Sequence, residues 1–137
     1  MNQRVLFVCT GNRARSQMAE GLLRHLAGDR FDVFSAGTFP SGMSELTIEA
    51  MRETGIDVSR QRSKSVNEFA GQAFGYVITV CNAANEACPV FPGRGERLHW
   101  DIEDPSDIEA RGVPLMEAFR IAREDLRRRI EAFARQP

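Results

Sequence analysis

The sequence predicts an α/β fold in which a four-stranded parallel sheet carries helices on both faces. Three observations predict it. Short apolar runs alternate with amphipathic segments, the pattern of strand–helix–strand units. The first run, Val5-Leu6-Phe7-Val8, is apolar throughout, as a strand covered on both faces of a parallel sheet must be. The chain of 137 residues, 42% hydrophobic and 27% charged, has the size and balance of a protein with one core. No repeat, low-complexity tract or linker interrupts it, so residues 1–137 are expected to form a single domain.

The elements follow in order. Arg4 to Val8 reads as the first strand. From about Ser16 to Ala27, Met18, Leu22, Leu23 and Leu26 recur at helical spacing, and Gly28-Asp29 ends the run. Phe31 to Ala36 reads as the second strand, with a turn region from Gly37 to Gly42. Glu45 to Glu53 reads as a helix stopped at Gly55. Ser65 to Ala70 has a short helix's capping-box spacing, with Ser65 as cap and Glu68 three residues on. Tyr76 to Val80 is the strongest β run, and Glu96 to Trp100 a weaker fourth strand. Val113 to Gln136 reads as a long amphipathic helix built on Leu115, Phe119, Ala122, Leu126, Ile130 and Phe133. Crossovers between parallel strands are expected to be right-handed.

Charge and composition exclude several classes of function. The formal net charge of −1 offers no field for nucleic acid or an anionic membrane. The basic residues are nearly all arginine; Lys64 is the one lysine. No apolar run is long enough to span a bilayer and the N-terminus does not read as a signal peptide, so a cytoplasmic location is expected. A monomer is the default expectation. Three cysteines, an odd number, do not suggest a disulfide framework. In a reducing compartment they are catalytic, metal-binding or simply buried.

Ligands of such sheets sit at the carboxyl ends of the strands. Cys9 follows the first strand, Cys81 the third, and Asp104 lies just beyond the fourth, so all three are expected on one sheet edge. The loop Cys9-Thr10-Gly11-Asn12-Arg13-Ala14-Arg15, with Ser16, runs from a strand into a helix N-terminus. Inward-pointing N–H groups and the helix dipole make such a loop an anion site. Gly11 and Asn12 tolerate backbone angles that other residues resist. The planar fork of Arg15 can grip two oxygens of a tetrahedral oxyanion. The same surroundings favour a thiolate at Cys9 and hence a nucleophile. Ser16 has two readings: a hydrogen-bond donor to the sulfur, or a helix cap. Arg13 is expected to be a solvated surface residue. The bland alternative, Cys9 as a small apolar strand-end residue, does not explain a cysteine, five residues and an arginine set between strand and helix.

The run Cys9-Thr10-Gly11-Asn12-Arg13-Ala14-Arg15-Ser16-Gln17-Met18-Ala19-Glu20-Gly21 resembles the signature of the low-molecular-weight protein-tyrosine phosphatase fold, a flavodoxin-like three-layer sandwich. Its Gln-Met-Ala-Glu-Gly continuation is similar to the branch of thioredoxin-coupled arsenate reductases. Ser35-Ala36-Gly37, Cys81 through Cys88-Pro89, and His99-Trp100 leading to Asp104-Pro105 match as well. The resemblance implies reduction of arsenate to arsenite, with electrons from thioredoxin and no other cofactor. It implies that Cys9 attacks arsenic, that Asn12, Arg15 and Ser16 shape the loop, and that Asp104 protonates the leaving oxygen. It implies that Cys81 then attacks the Cys9–arsenic adduct, and that Cys88 attacks Cys81 to leave an 81–88 disulfide for thioredoxin.

Two thiols can supply the two electrons arsenate needs by closing a disulfide, which requires Cα atoms roughly 4.4–6.8 Å apart. The small polar segment between Cys81 and Cys88 is therefore expected to rearrange between reduced and oxidised forms. Paired metal-ligand spacing is absent, since His25 and His99 are not spaced with these cysteines. Asp-Pro at 104–105 also opens turns, and Asp101 and Glu103 are expected to be solvated. The sequence departs from the family pattern in three places. Position 14, often cysteine, is Ala14. Some of these reductases hold potassium near the loop with an acidic residue in the stretch matching Ser63-Lys64-Ser65. Here Lys64 stands in that place beside Asn12, Glu20 and Ser35, which speaks against a potassium site and for an ammonium in its stead. Ser106-Asp107-Ile108 replaces the tyrosines that line the cleft for aryl substrates. The alternative enzyme is a low-molecular-weight phosphatase acting through a Cys9 phosphocysteine. A non-catalytic oxyanion pocket is the third reading.

Overall fold

A computed structural model describes residues 2–136, without the side chain of Asn85. Four strands form one parallel sheet: β1 (Gln3–Cys9), β2 (Phe31–Gly37), β3 (Tyr76–Thr79) and β4 (Glu96–His99), in the order β2-β1-β3-β4. Five helices accompany them: α1 (Arg15–Ala27), α2 (Glu45–Arg52), α3 (Asn82–Ala87), α4 (Pro105–Ala110) and α5 (Leu115–Ala134). A 3-10 turn spans Val66–Phe69. Central β1 is flanked on both sides, with Val5 opposite Val33 and Tyr76. Val5, Leu6, Phe7 and Val8 have no solvent exposure.

Alternation along the strands sorts the two faces. On one, Phe31 of β2 and Tyr76 of β3 pack their rings on Phe133 of α5, and Trp100 joins Phe7 to the same ring. On the other, Phe34 meets Phe69 and Phe74, and the guanidinium of Arg4 lies over Phe34 and Phe74. Thr79 and His99, in register on β3 and β4, face this second side, where α3 sits.

The predicted elements hold with small shifts. Ser65 caps its turn by accepting from the amide of Asn67, while the Glu68 carboxylate pairs with Arg62. Pro114 precedes α5, which therefore starts at Leu115 rather than Val113. Two helices went unread. α4 starts at Pro105 with Asp104 as its N-cap, accepting from the Ser106 amide. α3 occupies the whole stretch between Cys81 and Cys88. No helix among the described residues is long and apolar enough to cross a membrane.

Candidate active site

Cys9 is the last residue of β1 and almost fully buried. Its Sγ lies 2.8 Å from Ser16 Oγ and accepts from the Asn12 amide at 3.2 Å. The amide donates to the sulfur, and the Ser16 hydroxyl, itself accepting from the Asn12 side chain, is within hydrogen-bond reach of it. Ser16, buried in the first turn of α1, makes no capping bond to the helix backbone; of its two readings, the contact to sulfur is the one observed.

The loop is held from behind. The carbonyls of Cys9, Thr10, Gly11 and Arg13 accept amides from Thr38, Phe39, Ser41 and Ser44. Among the described residues, the amides of Gly11, Arg13 and Ala14 donate to no protein acceptor. Those N–H groups are what an oxyanion would use. Asn12 has φ of 47°, the left-handed region that asparagine tolerates. Its buried amide group donates to Ser16 Oγ at 2.8 Å and Ser35 Oγ at 3.0 Å, and its oxygen accepts from the Lys64 amide at 2.9 Å. Gln17, with no solvent exposure, donates to the carbonyl and the side-chain oxygen of Asn12, both at 3.0 Å, and to the Arg62 carbonyl at 2.9 Å. Gly37 passes so close that a Cβ there would lie 2.5 Å from the Thr10 carbonyl oxygen.

A cavity of about 370 Å³ opens over the loop, lined by Cys9, Thr10, Gly11, Arg13, Ala14 and Arg15. Arg15 donates to the Ile102 carbonyl at 3.0 Å and to Asp104 Oδ2 at 3.2 Å, so its guanidinium and the Asp104 carboxylate share one wall. Phe39, Ser41 and Phe119 complete the rim. Arg13 is exposed and, among the described residues, its side chain donates to the Ser41 carbonyl alone. A second groove, about 670 Å³, shares Thr10, Arg15 and Asp104 with the first and continues to Cys81. Thr10 Oγ1 lies 3.4 Å from Cys81 Sγ. All three cysteines are free thiols and buried. Cys81 is the residue just before α3 and Cys88 the one just after it, its amide donating to the Ala84 carbonyl. Burial pushes the Cys88 thiol above its ordinary range, and the charge of Arg97 works against that shift.

Behind the loop, Ser35 donates to Glu20 Oε1 at 2.5 Å, and Glu20 pairs with Arg24 at 2.6 Å. Lys64 Nζ stands 3.6 Å from Glu20 Oε1, 3.5 Å from Ser35 Oγ and 3.0 Å from the Arg62 carbonyl. Burial lowers its pKa, partly offset by Glu20. The ammonium thus lies beside Glu20 and Ser35, two of the residues weighed above for a potassium site. Among the described residues, no group of three or more His, Cys, Asp or Glu could hold a metal ion.

Sequence reading assigned no site role to Gln17, quoted only within the signature run, to Phe119, read only as a packing residue of the last helix, or to Phe39 and Ser41. Gln17 carried a signal, a polar residue beside the apolar stripe of α1; the others come from segments that only folding brings to the loop.

A curated arsenate reductase of Halalkalibacterium halodurans is 40% identical over 135 residues, 98% of this chain and 97% of that protein. The structure titled an arsenate reductase in the phosphate binding state matches with a TM-score of 0.77 at 32% identity, over 96% of this chain and 95% of the other. A thioredoxin-dependent arsenate reductase of Corynebacterium glutamicum matches with a TM-score of 0.73 at 29% identity, over 97% of this chain and 62% of that one. Residues 4–136, from the first strand through the Cys9 loop to the last helix, match the low molecular weight phosphotyrosine protein phosphatase family, and the chain belongs to it.

Proposed function

We propose that this chain reduces arsenate to arsenite in the cytoplasm as a single catalytic domain, with Cys9, Cys81 and Cys88 supplying and relaying the electrons. One observation carries the reading: a buried thiol in an anion-binding loop is joined by a continuous groove, through Thr10, to a second thiol at the end of a short helix that ends in a third. The similarity to arsenate reductases adds support.

Arsenate sits on the free amides of Gly11, Arg13 and Ala14, with Arg15 turning its fork to the oxygens. The Cys9 sulfur bonds to arsenic and a hydroxyl leaves as water with a proton from Asp104. Cys81 sulfur attacks Cys9 sulfur. The sulfur–arsenic bond breaks, its electron pair stays on arsenic, and arsenite departs. Cys88 sulfur attacks Cys81 sulfur, expels Cys9 as thiolate and leaves an 81–88 disulfide. A dithiol protein of the thioredoxin type reduces it.

The same cavity favours a second reaction, hydrolysis of small aryl phosphates, because Phe39 and Phe119 flank the loop. That reaction needs Cys9, Arg15 and Asp104 but neither Cys81 nor Cys88. The test is a coupled assay with thioredoxin, thioredoxin reductase and NADPH. Arsenate-dependent NADPH oxidation over many turnovers is expected; its absence, with aryl phosphatase activity intact, would leave the phosphatase reading alone.

A further inference from the structure

α3 is only six residues long and contains two asparagines. A helix this short does not hold itself, because nucleation costs more than so few hydrogen bonds return. Among its described side chains the buried ones are few: Ala84 at its middle, with Cys81 and Cys88 at the ends. The two cysteines are separated by a helical rise of roughly 10 Å, beyond the roughly 4.4–6.8 Å between Cα atoms that a disulfide allows. The helix must open before the two sulfurs can meet.

Edge strand β4 holds both ends. His99 Nε2 lies 2.7 Å from Asn82 Oδ1, at the first residue of the helix. His99 Nδ1 lies 2.8 Å from Thr79 Oγ1, which orients the ring. Arg97 Nη1 donates to the Cys88 carbonyl at 3.3 Å, just past the last turn. Residues two apart on a strand point to the same face, so one short strand edge presents both grips to one helix. Neither side chain touches the cavity over Cys9.

We propose that Arg97 and His99 are positioning residues that clamp the two ends of α3, and so set how readily the chain between Cys81 and Cys88 unwinds to close its disulfide. The inference rests on the reductase reading, since it presupposes that Cys81 and Cys88 pair. The clamp bonds exist in the dithiol form and are given up when the helix opens. Weakening them favours the disulfide.

The experiment equilibrates the chain carrying Cys9→Ser, so that only Cys81 and Cys88 can pair, with mixtures of reduced and oxidised dithiothreitol. Two protein thiols lose two electrons and two protons, and the reagent's disulfide takes both and opens. His99→Ala and Arg97→Ala are each expected to shift the equilibrium constant toward the protein disulfide by roughly two- to tenfold, the span of one hydrogen bond. Together they should shift it by about the product. His99→Gln and Arg97→Lys, which keep a donor, should fall nearer the parent. Amide hydrogen exchange over residues 82–88 of the reduced protein should quicken by similar factors, while aryl phosphatase activity of the Cys9-containing variants stays unchanged. Parent-like constants in the alanine variants would overturn the clamp and leave the reductase reading standing. A change of phosphatase activity equal to the redox shift would overturn the clamp too, as an effect on the whole fold. A parent in which no 81–88 disulfide forms would overturn both.

Discussion

The Cys9 loop and the segment after Cys81 lie at the same sheet edge and are built in opposite ways. The loop has four carbonyls tied to the 38–44 segment, and a buried asparagine whose amide is bonded on every side. The other region is a six-residue helix held at its ends by exposed side chains and followed by Pro89 and exposed Val90. The difference is the one the proposed chemistry calls for. Stabilising an oxyanion needs donors fixed in advance, so that none has to be turned at the moment of reaction. Passing a disulfide from one cysteine to another needs sulfurs that travel.

The comparison breaks most sharply at the cysteines. Cys81→Ser and Cys88→Ser should each abolish multiple-turnover arsenate reduction in the coupled assay, yet keep aryl phosphatase activity within about twofold. Equal loss of both activities would mean that the segment supports the loop rather than the electron transfer. Next is the loop's brace. Gln17→Ala leaves the buried Asn12 oxygens short of a donor, at a cost of ~1–3 kcal/mol. Both activities should then fall together, by roughly tenfold for ~1.4 kcal/mol of lost loop order. Selective loss of arsenate reduction would contradict the division of labour.

The smallest expected effect concerns Lys64. Its folded-state pKa lies below the ordinary 10.5, mainly through burial. The folded protein therefore holds that proton less tightly than the unfolded chain does. The cost of burying the charge is present below the depressed value and is relieved as pH rises toward the ordinary one. The stability of the parent relative to Lys64→Met, measured by denaturant unfolding across that alkaline window, should rise with pH. A difference that falls with pH would mean that the Glu20 pair outweighs burial.

Much of this division was legible in the sequence, for physical reasons that also mark where reading stopped. β1 was plain because a strand buried on both faces must be apolar throughout. β4 read weakly because Glu96, Arg97 and His99 sit on an exposed edge, where composition carries little pattern. α3 was invisible: alanine and asparagine make no apolar stripe, and its holds come from β4. α4 did leave a sign, since aspartate before proline is a helix cap followed by a first-turn proline as well as a turn. The loop could be read because its chemistry is contiguous from Cys9 to Ser16. Its walls could not, because Phe39, Phe119 and the Ile102 carbonyl come from three distant segments.

The most direct test of a stiff anion loop serving a movable thiol pair is one turnover without reductant. The reduced protein is mixed with one equivalent of arsenate, quenched by alkylation, and mapped by mass spectrometry alongside arsenic speciation. One arsenite per chain, a Cys81–Cys88 disulfide and an alkylated Cys9 are expected. Arsenate recovered unchanged with all three thiols alkylated, or a Cys9–Cys81 disulfide as the end product, would contradict that expectation.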